Sequence, residues 1–339
     1  MKRIASTLLV LLCAGFVAAE TITVVTINAW SGLTYDGAFT SGEYEDAATR
    51  RFRFDLLTAG LAQLRPDVIA IQEANPLPNW ADRIADALTY DAVSAVRQAG
   101  VRIGAVGLPA NLREGSVILA DRSRGLSMVG TTQLSGPGAG RVASFQLGSG
   151  ANLIASEITV EGRRVYVLTT RWTPSPHADA ERLRALVDAY DRGDLSGDEY
   201  TALVRAAVEG SERRLREARA TLTYINELAG TQPVILMGSF FALPGSPEIA
   251  LLREAGFTDV WAAVSRTPGY TFDARTNSNI IAHGLSTLAA ERERYDYVFI
   301  RGDGIVARSA SIVFDRPTFG VHASAHFGIR AELRVDPAR

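Results

Sequence analysis

The chain has 339 residues, with 35 Lys and Arg against 37 Asp and Glu and a formal net charge of −2. Hydrophobic residues make up 47% and charged residues 21%, which excludes a disordered tail protein, a collagen-like fibre and a small disulfide scaffold. The near-neutral balance removes the broad basic footprint of a nucleic-acid binder, although a local patch stays open. The first element reads as an export signal. Lys2 and Arg3 make a positive start, residues 8–17 are almost wholly apolar, and Val17-Ala18-Ala19 offers small residues for cleavage. Residues 1–19 are therefore expected to be a signal peptide, with Glu20 the first mature residue and a periplasmic or secreted destination. The apolar core is short for a spanning helix. An uncleaved anchor is the alternative, and Leu12 before Cys13 disfavours a lipoprotein site. Cys13 is the single cysteine and lies in that segment. The mature chain then has no disulfide and must rely on its core. No transmembrane segment is expected after cleavage, and nothing in the sequence reads out an oligomeric state.

Residues 21–27 are rich in Thr, Val and Ile and predict a strand. Residues 43–64 predict a helix, with Phe52, Leu56, Leu57, Leu61 and Leu64 at helical spacing and Arg65-Pro66 as its stop. A short buried strand at 68–71 runs into Gln72-Glu73, and a shorter helix follows near 80–88. Strands are expected at 116–120, 127–133, 142–147, 152–160 and 164–170, with Glu161-Gly162 as a hairpin turn. Residues 177–228 are dense in Ala, Arg, Glu and Leu and predict two or three helices with a break at 194–197. Ser196 and Glu199 have the spacing of a capping box. The mixed charges here read as a solvated face or, less simply, as a partner surface. Further strands are expected at 234–237, 295–300 and 328–333. With no linker, repeat or low-complexity tract, the reading is one α/β domain over 20–337, with a helical insert at about 177–210.

Several strands end in polar residues, where α/β folds place their chemistry. Each is ambiguous alone. Asn28 has the position of a turn residue, and Glu73 that of a cap or surface acid. Asp296 is more pointed, because a carboxylate inside an apolar run needs a partner. His326 reads equally as a structural histidine, and Asp296 is its natural partner.

Taken in order, Thr26-Ile27-Asn28-Ala29-Trp30, Ile71-Gln72-Glu73, Thr169-Thr170-Arg171-Trp172, the stretch Met237-Gly238-Ser239-Phe240-Phe241-Ala242-Leu243-Pro244, Tyr295 to Ile300 and Ser324-Ala325-His326-Phe327-Gly328 resemble the endonuclease/exonuclease/phosphatase superfamily, the deoxyribonuclease I-like fold. The resemblance implies two packed, mainly antiparallel or mixed β-sheets flanked by helices in a four-layer sandwich. It also implies Mg²⁺- or Mn²⁺-dependent hydrolysis of phosphate esters. By the same resemblance, Glu73 and Asn28 stand at the metal site, Asp296 and His326 are the retained catalytic pair, and Arg171 and His326 are placed to hold phosphate. Residues 269–273 with Asn277 and Asn279 look like the family's substrate-side loop.

Four positions depart from that pattern. Arg171 stands where the family has His, Ser239 where it has Asp, Phe241 where it has Asn, and Ala325 where it has Asp. A serine hydroxyl is no base near neutral pH, a phenyl ring donates no hydrogen bond, and alanine offers a hard cation no oxygen. Misaligned motifs would be the bland explanation, but residues 238–244 contain no Asp or Asn. The expectation is an exported, phosphohydrolase-like protein that is inactive or severely impaired. Weak metal binding and binding of a phosphate ester or phosphodiester would survive. The competing readings are an active Mg²⁺-dependent phosphodiesterase or phosphatase, nuclease-like or sphingomyelinase-like, and an interaction module built on residues 177–228.

Overall fold

The computed structural model describes residues 19–37, 39–103, 106–136, 150–285 and 291–338. The expected signal peptide up to residue 18, Cys13 within it, and the strand expected at 142–147 lie outside the described residues. β1 (Glu20–Asn28) leads through α1 (Ala47–Leu64), β2 (Val68–Ala74) and α2 (Asn79–Leu88) to a long hairpin, β3 (Tyr90–Ile103) with β4 (Val106–Asp121). β5 (Ser127–Ser135), β6 (Ala151–Val160) and β7 (Arg163–Arg171) pair in succession. α3 (Ala180–Asp191) and α4 (Gly197–Ala229) follow, then β8 (Val234–Ser239), α5 (Pro247–Glu254), β9 (Thr258–Asp259) and α6 (Val260–Val264). The chain ends through β10 (Phe272–Asp273), α7 (Ser278–His283), β11 (Arg292–Glu293), β12 (Asp296–Arg301), β13 (Ile305–Val313) and β14 (Gly328–Val335).

Among the described residues these strands form a six-stranded sheet in the order β13-β14-β1-β2-β4-β3, a second in the order β5-β6-β7-β8-β12-β9, and a small β10-β11 ribbon. β1 with β2 and β7 with β8 are parallel, and the other pairs are antiparallel. Period-2 alternation explains the stacking. Ile22, Val24, Ile154, Val167, Ile235 and Val298 face the space between the sheets. The opposite faces carry Val25, Ile27 and Ile69 under Leu57, Leu61 and Ile84 of α1 and α2. They also carry Leu168, Leu236 and Phe299 under Ala218, Ile225 and Ile249 of α4 and α5. The result is the expected four-layer α/β sandwich.

The boundaries differ in instructive places. α1 begins at Ala47 rather than 43, because the Asp46 carboxylate accepts the Thr49 N–H at 2.7 Å and starts the helix there. β4 is much longer than 116–120, and β3 and β13 escape the sequence reading. Both are edge strands, at opposite ends of one sheet, and polar residues interrupt their apolar pattern. Glu161 and Gly162 form the expected two-residue turn, with φ of 49° and 71° between paired Val160 and Arg163. The region from 177 holds two helices, and the Ser196–Glu199 capping box is present. α4 does not stop at 210. It runs on to Ala229, with its first buried residue at Ala207 and with Ala218 and Ile225 in the core. Its second half, beyond the expected insert, is a layer of the sandwich. No helix among the described residues is long and apolar enough to cross a membrane.

Candidate functional site

Parallel pairing brings the C-terminal ends of β1 and β2 together, and likewise those of β7 and β8. The register pairs Arg171 with Ser239 and Asp296 with Ser239, so three strands deliver these residues to one spot. β14 runs antiparallel to β1, with Ile329 opposite Thr26, which brings the segment before it, including His326, alongside Asn28. Along the inward faces the apolar residues give way to polar ones at this end. Gln72 of one sheet bonds to Thr169 of the other at 2.9 Å and to Thr26 at 3.2 Å, closing the sandwich with a polar layer.

Glu73 breaks the alternation. Strict period 2 places it on the face opposite Gln72. Its φ of 57° and the register slip between Ile71 and Ala74 turn it back toward Asn28 and Arg171. Gly238 is required just upstream of Ser239. Its φ is 146°, and a Cβ there would lie 2.0 Å from the Thr170 carbonyl oxygen.

Six sequence-selected residues meet in one cluster. Asn28, Ser239 and Asp296 are fully buried, and Arg171, His326 and Glu73 are only 5%, 5% and 7% exposed. Arg171 Nε donates to Glu73 Oε1 at 2.7 Å, and Asn28 Nδ2 donates to the same oxygen at 2.9 Å. Ser239 Oγ donates to Asp296 Oδ1 at 2.6 Å. His326 Nδ1 meets Asp296 Oδ2 at 2.8 Å, so the expected Asp–His pair forms. Phe241 lies over the cluster, its ring 5.1 Å from the Arg171 guanidinium carbon and edge-on to His326 at 5.7 Å. Ala325 is buried beside Trp30 and Ile280, with Phe272 packed against them.

The charges are paired internally. Burial pushes the Glu73 carboxyl upward, but the Arg171 guanidinium and the Asn28 amide outweigh it and hold the group below the ordinary glutamate value. For His326, burial disfavours the imidazolium, while Asp296 more than compensates and raises the group. Tyr35 is pushed well up, first by burial and then by Glu114 and Glu73. Its hydroxyl bonds to Glu114, which also takes Arg97 Nε at 3.0 Å. Sequence reasoning missed this second cluster, in which Arg97 and Glu114 are buried and Tyr35 reaches in from the surface. Its only sequence trace is an acid and a base placed inside otherwise strand-like segments.

The loop residues expected on the substrate side make structural bonds. Asn277 Nδ2 donates to the Ser324 carbonyl at 2.9 Å and Asn279 Nδ2 to the His322 carbonyl at 3.0 Å. Asn277 Oδ1 caps α7. Both amides therefore help to hold the segment before His326 in place. Thr271 Oγ1 accepts the N–H groups of Tyr295 and Asp296 at 3.0 and 3.1 Å. Arg53, also missed, spans the neighbouring loops. It donates to the carbonyls of Ala29, Trp30 and Ala323, and pairs with Glu45.

A divalent ion such as Mg²⁺ needs a near-octahedral set of oxygen donors at about 2.1 Å. Glu73 Oε1 already takes two donors, which leaves Oε2 as the one oxygen this carboxylate could offer. Asn28 Oδ1 accepts the Trp30 N–H at 2.8 Å, so the amide turns N–H groups rather than oxygen toward the cluster. Ser239 and Ala325 bring no charge. Among the described residues no three His, Cys, Asp or Glu side chains converge to hold a metal. The donor set as it stands does not fit Mg²⁺ or Mn²⁺.

The model of the Endonuclease/Exonuclease/phosphatase family matches residues 25–319. No curated protein sequence matches the chain. Solved structures do. An endonuclease/exonuclease/phosphatase from Bacteroides vulgatus superposes with a TM-score of 0.63 at 14% identity, covering 94% of this chain and 100% of its own. D. rerio TDP2 complexed with single strand DNA product gives 0.60 at 17% identity, covering 93% and 99%. A functionally unknown conserved protein from Enterococcus faecalis V583 gives 0.60 at 16%, covering 93% and 100%. At these identities the likeness carries the fold alone.

Proposed function

The chain belongs to the endonuclease/exonuclease/phosphatase family, and from that premise we propose that it is a member whose phosphoester hydrolysis is lost or severely reduced, with a seat for a phosphate ester or phosphodiester kept at Arg171 and His326. We infer also that residues 1–19 direct its export. The observation that carries the reading is the hydrogen-bonding of the replaced positions. The residue in the histidine's place is ion-paired to Glu73 at 2.7 Å, and the residue in the aspartate's place donates its single proton to Asp296 at 2.6 Å. Neither is left to take a proton from water. Loss of general-base help costs about 10²–10⁴-fold, and loss of one transition-state donor costs on the order of 10²–10³-fold.

Backbone geometry supports the alignment on which this rests. Phe241 has a φ of 45°, a region that a bulky aromatic rarely occupies and that asparagine tolerates well. The position keeps a backbone suited to the asparagine it lacks. The anion seat is supported by Arg171 Nη1, which is buried with no hydrogen-bond partner. His326 contributes the second group, since Asp296 engages its Nδ1 and no described protein group bonds its Nε2. Phosphate oxygens would satisfy both.

The Asp296–His326 pair favours a second reading, residual hydrolysis with His326 Nε2 as the base. One experiment separates the two. The protein and a variant carrying Arg171→His, Ser239→Asp, Phe241→Asn and Ala325→Asp are assayed with Mg²⁺ or Mn²⁺ on bis-p-nitrophenyl phosphate, single-stranded DNA and sphingomyelin. The expected result is background turnover for the unmodified chain and a rate at least about 10³-fold higher for the restored one. Equal, brisk rates refute the proposal. Equal silence with the fold intact refutes the assignment of the four positions.

A further inference from the structure

The site lies where the family holds a divalent ion, and its donor set does not suit one. Arg171 explains why. Its guanidinium is rigid, permanently charged and shaped to bond carboxylates. It stands 2.7 Å from the Glu73 oxygen, in a cluster where both residues are buried. A buried carboxylate without a counter-charge is costly. Here a cation attached to β7 meets that need. The substitutions agree in sign. Arg171 adds positive charge, while Ser239 and Ala325 each remove a carboxylate that a metal would have balanced. What remains is two acids, Glu73 and Asp296, set against two bases, Arg171 and His326. Such a cluster has a counter-charge for each carboxylate without an added cation.

The second observation is the orientation of Asn28. Only an oxygen can accept the Trp30 N–H, so Oδ1 is fixed there at 2.8 Å and Nδ2 faces Glu73 and Ser239. An amide N–H₂ group directed at the Glu73 and Ser239 side chains repels a cation and favours negative charge.

We propose that Arg171 is a tethered counter-cation that replaces the divalent ion beside Glu73, so that this chain neither requires nor takes up Mg²⁺ or Mn²⁺ there. The site is then a metal-independent one, held in shape by its own ion pair. The inference uses the family reading of these positions, but metal uptake and phosphate-ester turnover are measured separately and can fail separately.

The test is a Mn²⁺ titration of the full chain followed by electron paramagnetic resonance of the free ion, with thermal unfolding in 10 mM MgCl₂ or in EDTA at matched ionic strength. The unmodified protein is expected to leave the free Mn²⁺ signal unchanged up to about 1 mM, and its unfolding temperatures are expected to agree within about 1 °C, since a ligand that does not bind cannot stabilise. Arg171→Met uncovers the Glu73 carboxylate and is expected to take up about one Mn²⁺ per chain, an uptake lost again in Arg171→Met/Glu73→Gln. Binding by the unmodified protein below about 1 mM that Glu73→Gln abolishes overturns the proposal. So does a folded Arg171→Met that takes up no Mn²⁺, since something other than Arg171 would then exclude the ion. Should Arg171→Met not fold, the unmodified protein and Glu73→Gln decide the matter alone.

Discussion

Replacing Arg171 by Met, Glu73 by Gln, and then both, measures how much the buried ion pair contributes to stability. The charged groups lie 2.7 Å apart at their closest atoms. With charge centres roughly 4 Å apart and an effective dielectric near 20, the attraction is about 4 kcal/mol. Removing one partner leaves the other buried and unpaired, a loss of about 3–5 kcal/mol. A domain is stable by about 5–15 kcal/mol, so either single variant should lose a large share of its stability and still fold over most of that range. The double variant removes both charges and leaves two groups of nearly unchanged volume. It is expected to be more stable than the sum of the singles predicts, by about 3 kcal/mol or more. Urea unfolding at pH 7.5, with the slope checked for two-state behaviour, gives the three values. A coupling below about 1 kcal/mol is what an exposed surface pair shows. That result would refute the burial argument, and the counter-cation proposal would lose its energetic basis.

Three further perturbations test other parts of the structure. Burial, helped by Arg214, holds His177 down to about 3, so its folded pKa lies below the unfolded value near 6.5; its neutral form stabilises above about pH 6.5, and that stability is lost as pH falls toward 3. His177→Gln should flatten the acid side of the stability curve by up to about 1.4 kcal/mol per pH unit, and a curve parallel to that of the unmodified protein would show that His177 is not the group responsible. Phe241→Asn replaces a strained aromatic at φ 45° and clears the ring from Arg171 and His326; binding of inorganic phosphate, followed by calorimetry, should tighten about tenfold, the effect of one added hydrogen bond of roughly 1.4 kcal/mol, and unchanged or weaker binding would place the anion elsewhere. Gly238→Ala drives a methyl to 2.0 Å from the Thr170 carbonyl oxygen and should cost more than about 4 kcal/mol, with no cooperative melt by circular dichroism; a melt within a few degrees of the unmodified protein would mean that β7 and β8 are not this close.

Residues read from local chemistry alone were found where expected. Asp296 interrupts an apolar run, and an acid there demands a partner; His326 supplies it at 2.8 Å. The strands that deliver Asn28, Arg171 and Ser239 announce themselves by β-branched runs ending in polar residues. What escaped depends on register and backbone sign. Glu73 reaches Arg171 only because its φ is positive and β2 slips against β4, and neither property shows in the letters. The Glu73 partner of Arg171, 98 residues away in the chain, likewise has no trace in the letters. The Tyr35–Glu114–Arg97 cluster joins residues 79 and 17 positions apart. The motif position of Asn277 and Asn279 suggests a substrate-side loop, and their bonds to the Ser324 and His322 carbonyls show only in the distances. Edge strands β3 and β13 were missed because a half-covered strand tolerates the charges that obscure its period.

The Ser324 hydroxyl donates to the Asn28 carbonyl at 2.5 Å across 296 positions of sequence, and β1 lies between β14 and β2. During synthesis the ribosome therefore releases the opening strand long before the partner that completes it. Until the final segment emerges, one flank of β1 stays unpaired and the pocket has no His326. Folding of this kind waits on a late, long-range closure and is slow for its size. A chain stalled before its last strand would present a sticky open edge to chaperones and to its neighbours.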